Sequence, residues 1–190
     1  MQVDKIISGS LEGHLDAVKL LEKNRECLKE ISALFISSLR NNGKIIFMGN
    51  GGSAADAGHL AAELVGRFKK NRAALASMSL ASNICIITAV GNDFGFGEVF
   101  SRQVEAIAGP QDVIVGISTS GESENVIQAI KKARELGLRT VGFLGKNGGS
   151  LKGLVDIPLI VPGNETPRIQ EMHILAGHII CEIIEEEFKA

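Results

Sequence analysis

Residues 112–133 read as a buried strand that stops at a crowd of hydroxyls and restarts as a helix. Asp112-Val-Ile-Val-Gly116 has the length and apolar content of a core strand, and Val126, Ile127, Ile130 and Ala133 recur after it at helical spacing. Between them, Ser118, Thr119, Ser120 and Ser123 crowd one strand-to-helix turn. Backbone N–H groups at a helix start are unpaired and sit at the positive end of the dipole, so they favour an anion, and hydroxyls add donors without adding charge. The turn predicts a phosphate cradle. The alternative is an ordinary capped helix start, where Ser and Thr are favoured in any protein.

The same alternation runs through the chain. Strands are predicted at 44–48, 76–80, 140–144 and 157–161, and helices at 54–68, 82–90, 98–107, 123–136 and 168–187. Residues 91–97 read as a loop, Gly137 as a helix stop and Gly148-Gly149 as a turn. Strands and helices alternating through short connections predict an α/β fold with a doubly wound parallel sheet. Ahead of it, residues 1–42 read as a helical arm with two apolar stripes, one through Leu11, Leu15, Val18 and Leu21 and one through Leu28, Ile31, Leu34, Phe35 and Leu39. Asn24 is placed to cap the second segment and Asn42-Gly43 to end it. The stripes either complete the chain's own core or pack on a neighbouring subunit.

Composition narrows the partners. At 190 residues with 45% hydrophobic content and 22 glycines, the chain suits one domain, 1–190, with the α/β core at 43–190. A formal net charge of -2 and no polybasic run point away from nucleic acid and from an anionic membrane surface. Cys27, Cys85 and Cys181 are widely spaced and are expected to be reduced, buried thiols. No apolar run approaches the ~18 residues of a membrane span, and no basic-then-apolar leader opens the chain, so a cytoplasmic address is expected.

Several side chains are candidates for chemistry. Gly49-Asn50-Gly51-Gly52-Ser53 follows the first strand and can bring backbone close to a ligand, but it is not the GxGxxG of a dinucleotide site. His59 and Glu63 share one face of the next helix, where such a pair is either a surface contact or part of a site. Asp93, beside Asn92, could bind a sugar hydroxyl or simply close a turn. On the last helix, Gln170 and His178 lie about 80° apart in projection, whereas His173 and His178 lie about 140° apart. Gln170 and His178 can share a site, and the two histidines are not expected to chelate together.

Four separated motifs, GNGGSAADAGHLAAELVGRF, AVGNDFGF, GISTSGESENVIQAI and RIQEMHILAGHIICEIIE, occur in an order that resembles the phosphoheptose isomerases of the sugar isomerase (SIS) superfamily. The resemblance covers nearly the whole chain. It implies a flavodoxin-like SIS domain with a helical N-terminal arm and a long C-terminal helix, a cytoplasmic homotetramer and bound Zn2+. It also implies an aldose-ketose isomerase that converts sedoheptulose 7-phosphate to glycero-manno-heptose 7-phosphate, the first step toward the ADP-heptose of lipopolysaccharide. His59, Glu63, Gln170 and His178 would be the zinc ligands, with Glu63 and His178 the acid/base pair. Asn50, Gly51, Gly52, Ser53, Glu63, Arg67, Asn92, Asp93, Ser118, Thr119, Ser120, Ser123 and Gln170 would hold the substrate. The family's tetramer would place His59 and Glu63 against His178 across an interface or close beside one. Pro167 stands where relatives often carry an acidic residue, which removes one expected sugar contact. A non-enzymatic homologue that binds the replication initiator shares several of these motifs but lacks the carboxylate and imidazole at positions 63 and 178, both present in this chain.

Overall fold

The computed structural model describes residues 2–189. Helices α1 (Gln2–Glu22) and α2 (Arg25–Arg40) precede strand β1 (Ile45–Gly49), helix α3 (Gly52–Val65) and strand β2 (Ser77–Ser79). Then come α4 (Ile84–Phe94), α5 (Ser101–Ile107), β3 (Val113–Ser118), α6 (Glu124–Glu135), β4 (Arg139–Gly145), β5 (Ile157–Val161) and α7 (Thr166–Glu187). The five strands form one parallel sheet in the order β2-β1-β3-β4-β5. Among the described residues, no helix is long and apolar enough to cross a membrane.

Both faces of the sheet are covered, and the strand sequences show why. Ile45, Phe47, Val115, Ile117 and Phe143 point to one side, where they join Leu60 and Leu64 of α3, Phe35 of α2 and Ile180 of α7. The alternate residues Ile46, Met48, Ile114 and Leu144 point to the other, against Val126 and Ile130 of α6 and Val104 of α5. Side chains alternate across a strand, so a strand buried on both faces must be apolar throughout, as β1 is over all five residues. The buried Asp112 carboxylate ties the starts of β1 and β3 by accepting from Lys44 N at 2.9 Å and Gly109 N at 2.7 Å.

Local chemistry sets several boundaries differently from expectation. Helix α4 runs through Gly91-Asn92-Asp93, so these residues lie in a helical turn and not in a loop, and the predicted helix 98–107 is a 3-10 turn at Phe96–Glu98 followed by the short α5. Asn24 occupies the position before α2 but does not cap it; its amide donates to Leu20 O and to Ile160 O at 3.1 Å, joining the helical hairpin to β5. Asn42 does end α2, in the left-handed conformation at φ 62. Of the three cysteines only Cys181 is buried; Cys27 is half-buried and Cys85 is exposed on α4, a helix with no buried residue.

Only part of the arm completes the chain's own core. Helix α2 buries Leu28, Ile31 and Phe35 in the chain's own core, whereas α1 buries only Ala17 and Leu21 and leaves Leu11 and Leu15 exposed. Helix α1 is held to α7 by His14 Nδ1 against Glu171 Oε2 at 2.7 Å and by Arg168, which donates to Ser10 O and pairs with Glu171. Pro167 sits in the first turn of α7, where its missing N–H has no intrahelical partner to lose.

His173 of α7 is fully buried beside Phe143, and neither ring nitrogen makes a hydrogen bond. Desolvation lowers its pKa from 6.5 to about 4, and the nearby Leu144 carbonyl offsets only part of that effect. The folded state keeps the ring neutral, while the unfolded chain takes up a proton below pH 6.5. Stability contributed by the neutral ring is therefore complete above that pH and is lost as pH falls toward 4, by on the order of 3 kcal/mol in all. In urea unfolding between pH 7 and 4, His173→Leu should show a flatter loss of stability than the unsubstituted protein. Parallel pH profiles for the two proteins would exclude His173 as an acid-labile element.

Candidate active site

The polar residues gather at the carboxyl ends of β1 and β3. The strand order reverses between these two, so their following connections leave on opposite faces of the sheet and open a crevice, the usual ligand position in open α/β folds. On the β1 side, Gly51 takes φ 55 ahead of α3. On the β3 side, the turn is braced by its own hydroxyls: Ser118 Oγ lies 2.9 Å from Ser123 Oγ and 3.4 Å from Ser120 Oγ, and accepts from Gly121 N at 3.1 Å. Ser123 stands at the cap of α6 without bonding the helix's own N–H groups, because its hydroxyl is used across the turn. The first-turn N–H groups of α6 are thus not capped by that side chain.

The two turns are fastened together. Asn50 and Asn125 exchange side-chain amide bonds, 2.8 Å in one direction and 2.9 Å in the other. Asn125 is buried, and this reciprocal pair fixes the width of the crevice between the β1 turn and α6. Glu122, the acidic residue within the serine turn, is committed to Ser150, whose N donates at 2.7 Å and whose Oγ donates at 2.6 Å.

A second cluster forms where α3 meets α7. His59 Nε2 lies 2.9 Å from His178 Nε2 and 3.3 Å from Glu63 Oε1, and donor atoms of all three residues fall within 4.8 Å of one another. They come from a single chain, so no second subunit is needed to bring the three together. Phe68 walls the cluster with its ring 5.3 Å from that of His178. Burial and then the neighbouring His59 hold the His178 pKa below its ordinary value, while Glu63 pulls the other way. Imidazole nitrogens at this separation cannot both carry protons on the facing atoms. They can share one proton or direct two lone pairs and a carboxylate oxygen at one cation.

The close approach depends on position 177. A Cβ there would meet Leu60 Cδ2 at 2.4 Å, so glycine is what lets α7 lie against α3 next to His178. Gln170 lies eight residues before His178 on α7, an axial rise of about 12 Å, and its amide fills the space beside Gly52, where a Cβ would stand 2.5 Å from Nε2. The remaining candidates stand apart. Asn92 donates to the neighbouring Asp93 at 2.7 Å on the exposed end of α4, and Arg67, exposed beyond α3, donates to Asn71 at 3.1 Å. Ser53 is buried in the first turn of α3. His173, as expected, does not join His178: it faces β4 while His178 faces α3.

A parallel sheet in this order, with a hydroxyl turn at its switch point and an imidazole-carboxylate cluster between α3 and α7, defines a sugar isomerase-type domain. Residues 15–145 match the SIS domain family model. Over 98% of its length the chain is 50% identical to a phosphoheptose isomerase of Helicobacter pylori strain P12, covering 97% of that protein. A phosphoheptose isomerase of Nitratiruptor sp. is 53% identical over 90% of this chain and 91% of its own length. Among solved structures, the phosphoheptose isomerase of Neisseria gonorrhoeae superposes with a TM-score of 0.92 at 40% identity, covering 97% of this chain and 99% of that one. The chain belongs to the phosphoheptose isomerase family of SIS-domain proteins, and it is an isomerase.

Two residues of the site escaped the sequence reading. Asn125 meets Asn50 across 75 positions, a pairing with no local signature. Phe68 closes the first family motif but reads from sequence as an ordinary apolar residue. Gly177→Ala should separate α3 from α7, lowering stability by about 1–3 kcal/mol through overpacking. It should also reduce turnover, because His178 is the next residue. Adding Leu60→Ala makes room for the new methyl, so the double variant should recover activity relative to Gly177→Ala alone. Equal activity in the single variant and the parent would show that the close approach does not set the site.

Proposed function

We propose that the protein converts D-sedoheptulose 7-phosphate to D-glycero-D-manno-heptose 7-phosphate, the step that opens ADP-heptose synthesis for lipopolysaccharide. The observation that carries this reading is the Glu63–His59–His178 cluster, in a chain half identical to proteins named phosphoheptose isomerase. The serine turn, with the start of α6, takes the phosphate, and Asn50, Gly51, Gly52 and Ser53 line the path from it. Phosphate bound away from the reacting carbons supplies positioning that the chemistry itself cannot. Arg67, Asn92 and Asp93 belong to the substrate contacts of this reading, as the family motifs imply.

The reaction moves a carbonyl from C2 to C1. Glu63 takes a proton from C1 and returns one to C2, and His178 moves a proton between the two oxygens through the intervening enediol. A carboxylate held 3.3 Å from one imidazole, with a second imidazole 2.9 Å from the first, supplies the proton-exchanging groups these roles need. Glu63→Gln keeps the shape and removes the proton acceptor, so turnover should fall by well over tenfold, which is more than about 1.4 kcal/mol of barrier. In D2O the unsubstituted enzyme should place deuterium at C2 of the aldose, read by NMR after a single pass. Retention of the original hydrogen together with activity in Glu63→Gln would rule out the enediol route.

Two imidazoles and a carboxylate converging within 4.8 Å fit a zinc ion, and we assign it to His59, Glu63 and His178; a fourth ligand from the Gln170 amide oxygen is what the family motif implies. Bound there, zinc would supply Lewis acidity to the oxygens of the reacting carbons. The assembly in this reading is a cytoplasmic homotetramer. Its support is the apolar stripe of α1, where Leu11 is 62% and Leu15 is 60% exposed in the isolated chain. An N/O site binds zinc less tightly than thiolates do, so chelator should remove the metal and abolish turnover while light scattering still gives the mass of four chains. Metal-free protein at full activity would sink the zinc assignment, and the mass of one chain would sink the tetramer.

A further inference from the structure

Beneath the imidazole-carboxylate cluster lies a buried ion pair that neither the sequence motifs nor the reaction accounts for. The Arg72 side chain is 1% exposed and that of Glu185 is 2% exposed, with Arg72 Nε 3.8 Å from Glu185 Oε1. Arg72 ends helix α3: its Nη2 donates to Glu63 O at 2.8 Å, and its Nη1 donates to Leu64 O at 2.8 Å and to Ala73 O at 2.9 Å. The last carbonyls of a helix have no intrahelical partner and carry the negative end of the dipole, so a guanidinium there satisfies both needs at once. Glu185, on the last turns of α7, accepts from three successive backbone N–H groups, Phe68 at 3.0 Å, Lys69 at 2.8 Å and Lys70 at 2.9 Å. Burial alone would raise the pKa of this carboxyl, yet these N–H groups and Arg72 hold it below its ordinary value.

One bond from each partner ends on the cluster or on its immediate support. Arg72 grips the main chain of Glu63 itself, and Glu185 grips the main chain of Phe68, whose ring lies against His178. Glu185 is seven residues beyond His178 on the same helix, two turns along the same face. We propose that Arg72 and Glu185 are positioning residues for the reaction, a buried clamp that fixes the separation of Glu63 from His178 and holds Phe68 over the imidazole. Without the clamp, α3 and α7 meet through apolar contact and the His59–His178 approach itself, which tolerate sliding, and a misplacement of about 1 Å at reacting groups can cost about a hundredfold in rate. The proposal rests on the isomerase reading for its kinetic consequence but not for its geometry.

Two variants of different severity test it. Arg72→Lys keeps the charge and loses the planar fork that reaches three carbonyls, and Glu185→Gln keeps the shape and loses the carboxylate. Each should lower kcat on sedoheptulose 7-phosphate by about tenfold or more, with KM within about threefold because the serine turn is untouched. In parallel, the His178 ring protons, identified by the loss of their Phe68 ring-current shift in Phe68→Leu, should move toward unshifted positions in both variants, while the buried His173 signals stay in place. A kcat within twofold of the parent, with His178 signals unmoved in Arg72→Lys, overturns the proposal even if thermal stability falls. If the parent itself does not isomerise sedoheptulose 7-phosphate, the functional reading fails, and the His178 signals alone decide the clamp.

Discussion

Helix α3 lies close enough to helix α7 for His59 and Glu63 to meet His178, and Leu60 fills the space that a side chain at position 177 would take. Packed helices hold interaxial distances of about 8–10 Å according to the side chains at their contact, and a missing one shortens that distance where it is missing. Here the gap is taken up by Leu60, itself fully buried in the core beneath the cluster. A core contact and a site contact are therefore the same contact. The imidazole-carboxylate geometry is fixed by hydrophobic packing that continues through Phe47 and Phe143 into the sheet.

The other half of the site is held by a different kind of force. The crevice between β1 and β3 is spanned by the Asn50–Asn125 amide pair, a neutral arrangement in which each side chain satisfies the other. Leaving either amide unpaired in so buried a place would cost about 1–3 kcal/mol, so the pair specifies one width for the crevice. The serine turn beyond it carries no lysine or arginine between Gly116 and Asn125. An anion there is met by hydroxyls and by backbone N–H groups at the start of α6, donors that are already fixed in place by the turn's internal bonds. Of the two acidic residues in this stretch, Glu122 is taken up by Ser150, and Glu124 in the first turn of α6 accepts from Gln128.

Buried charged groups in the core are held by hydrogen bonds. Asp112 and Glu185 each accept from backbone N–H groups, and Arg72 donates to carbonyls at the end of α3 although its Nε has no hydrogen-bond partner. His173 is buried without such partners and is kept neutral instead. Helix α7 thus carries two histidines with opposite treatments. One is sealed against β4; the other opens toward α3.

The sequence alone determined the α/β class, the strand positions and the parallel order of layers, because burial on both faces forces continuous apolar strands and the period of a helix marks its buried side. It also marked His59 with Glu63, and Gln170 with His178, as residues able to share a face, since a spacing of four and a projection of about 80° follow from helix geometry alone. It misread the stretch 91–97 as loop, where three glycines and an Asn-Asp pair signal a turn locally yet α4 runs on through Phe94. It assigned Asn24 to a cap that the side chain leaves for Ile160 O, 136 positions away. Only the tertiary structure decided which pairs of faces meet: Gly177 on Leu60, Asn50 on Asn125, Glu185 on the backbone of Phe68. Those contacts join segments far apart in the chain, and no local preference encodes them. They are set by how volumes and unpaired polar groups can all be satisfied at once in one packed core.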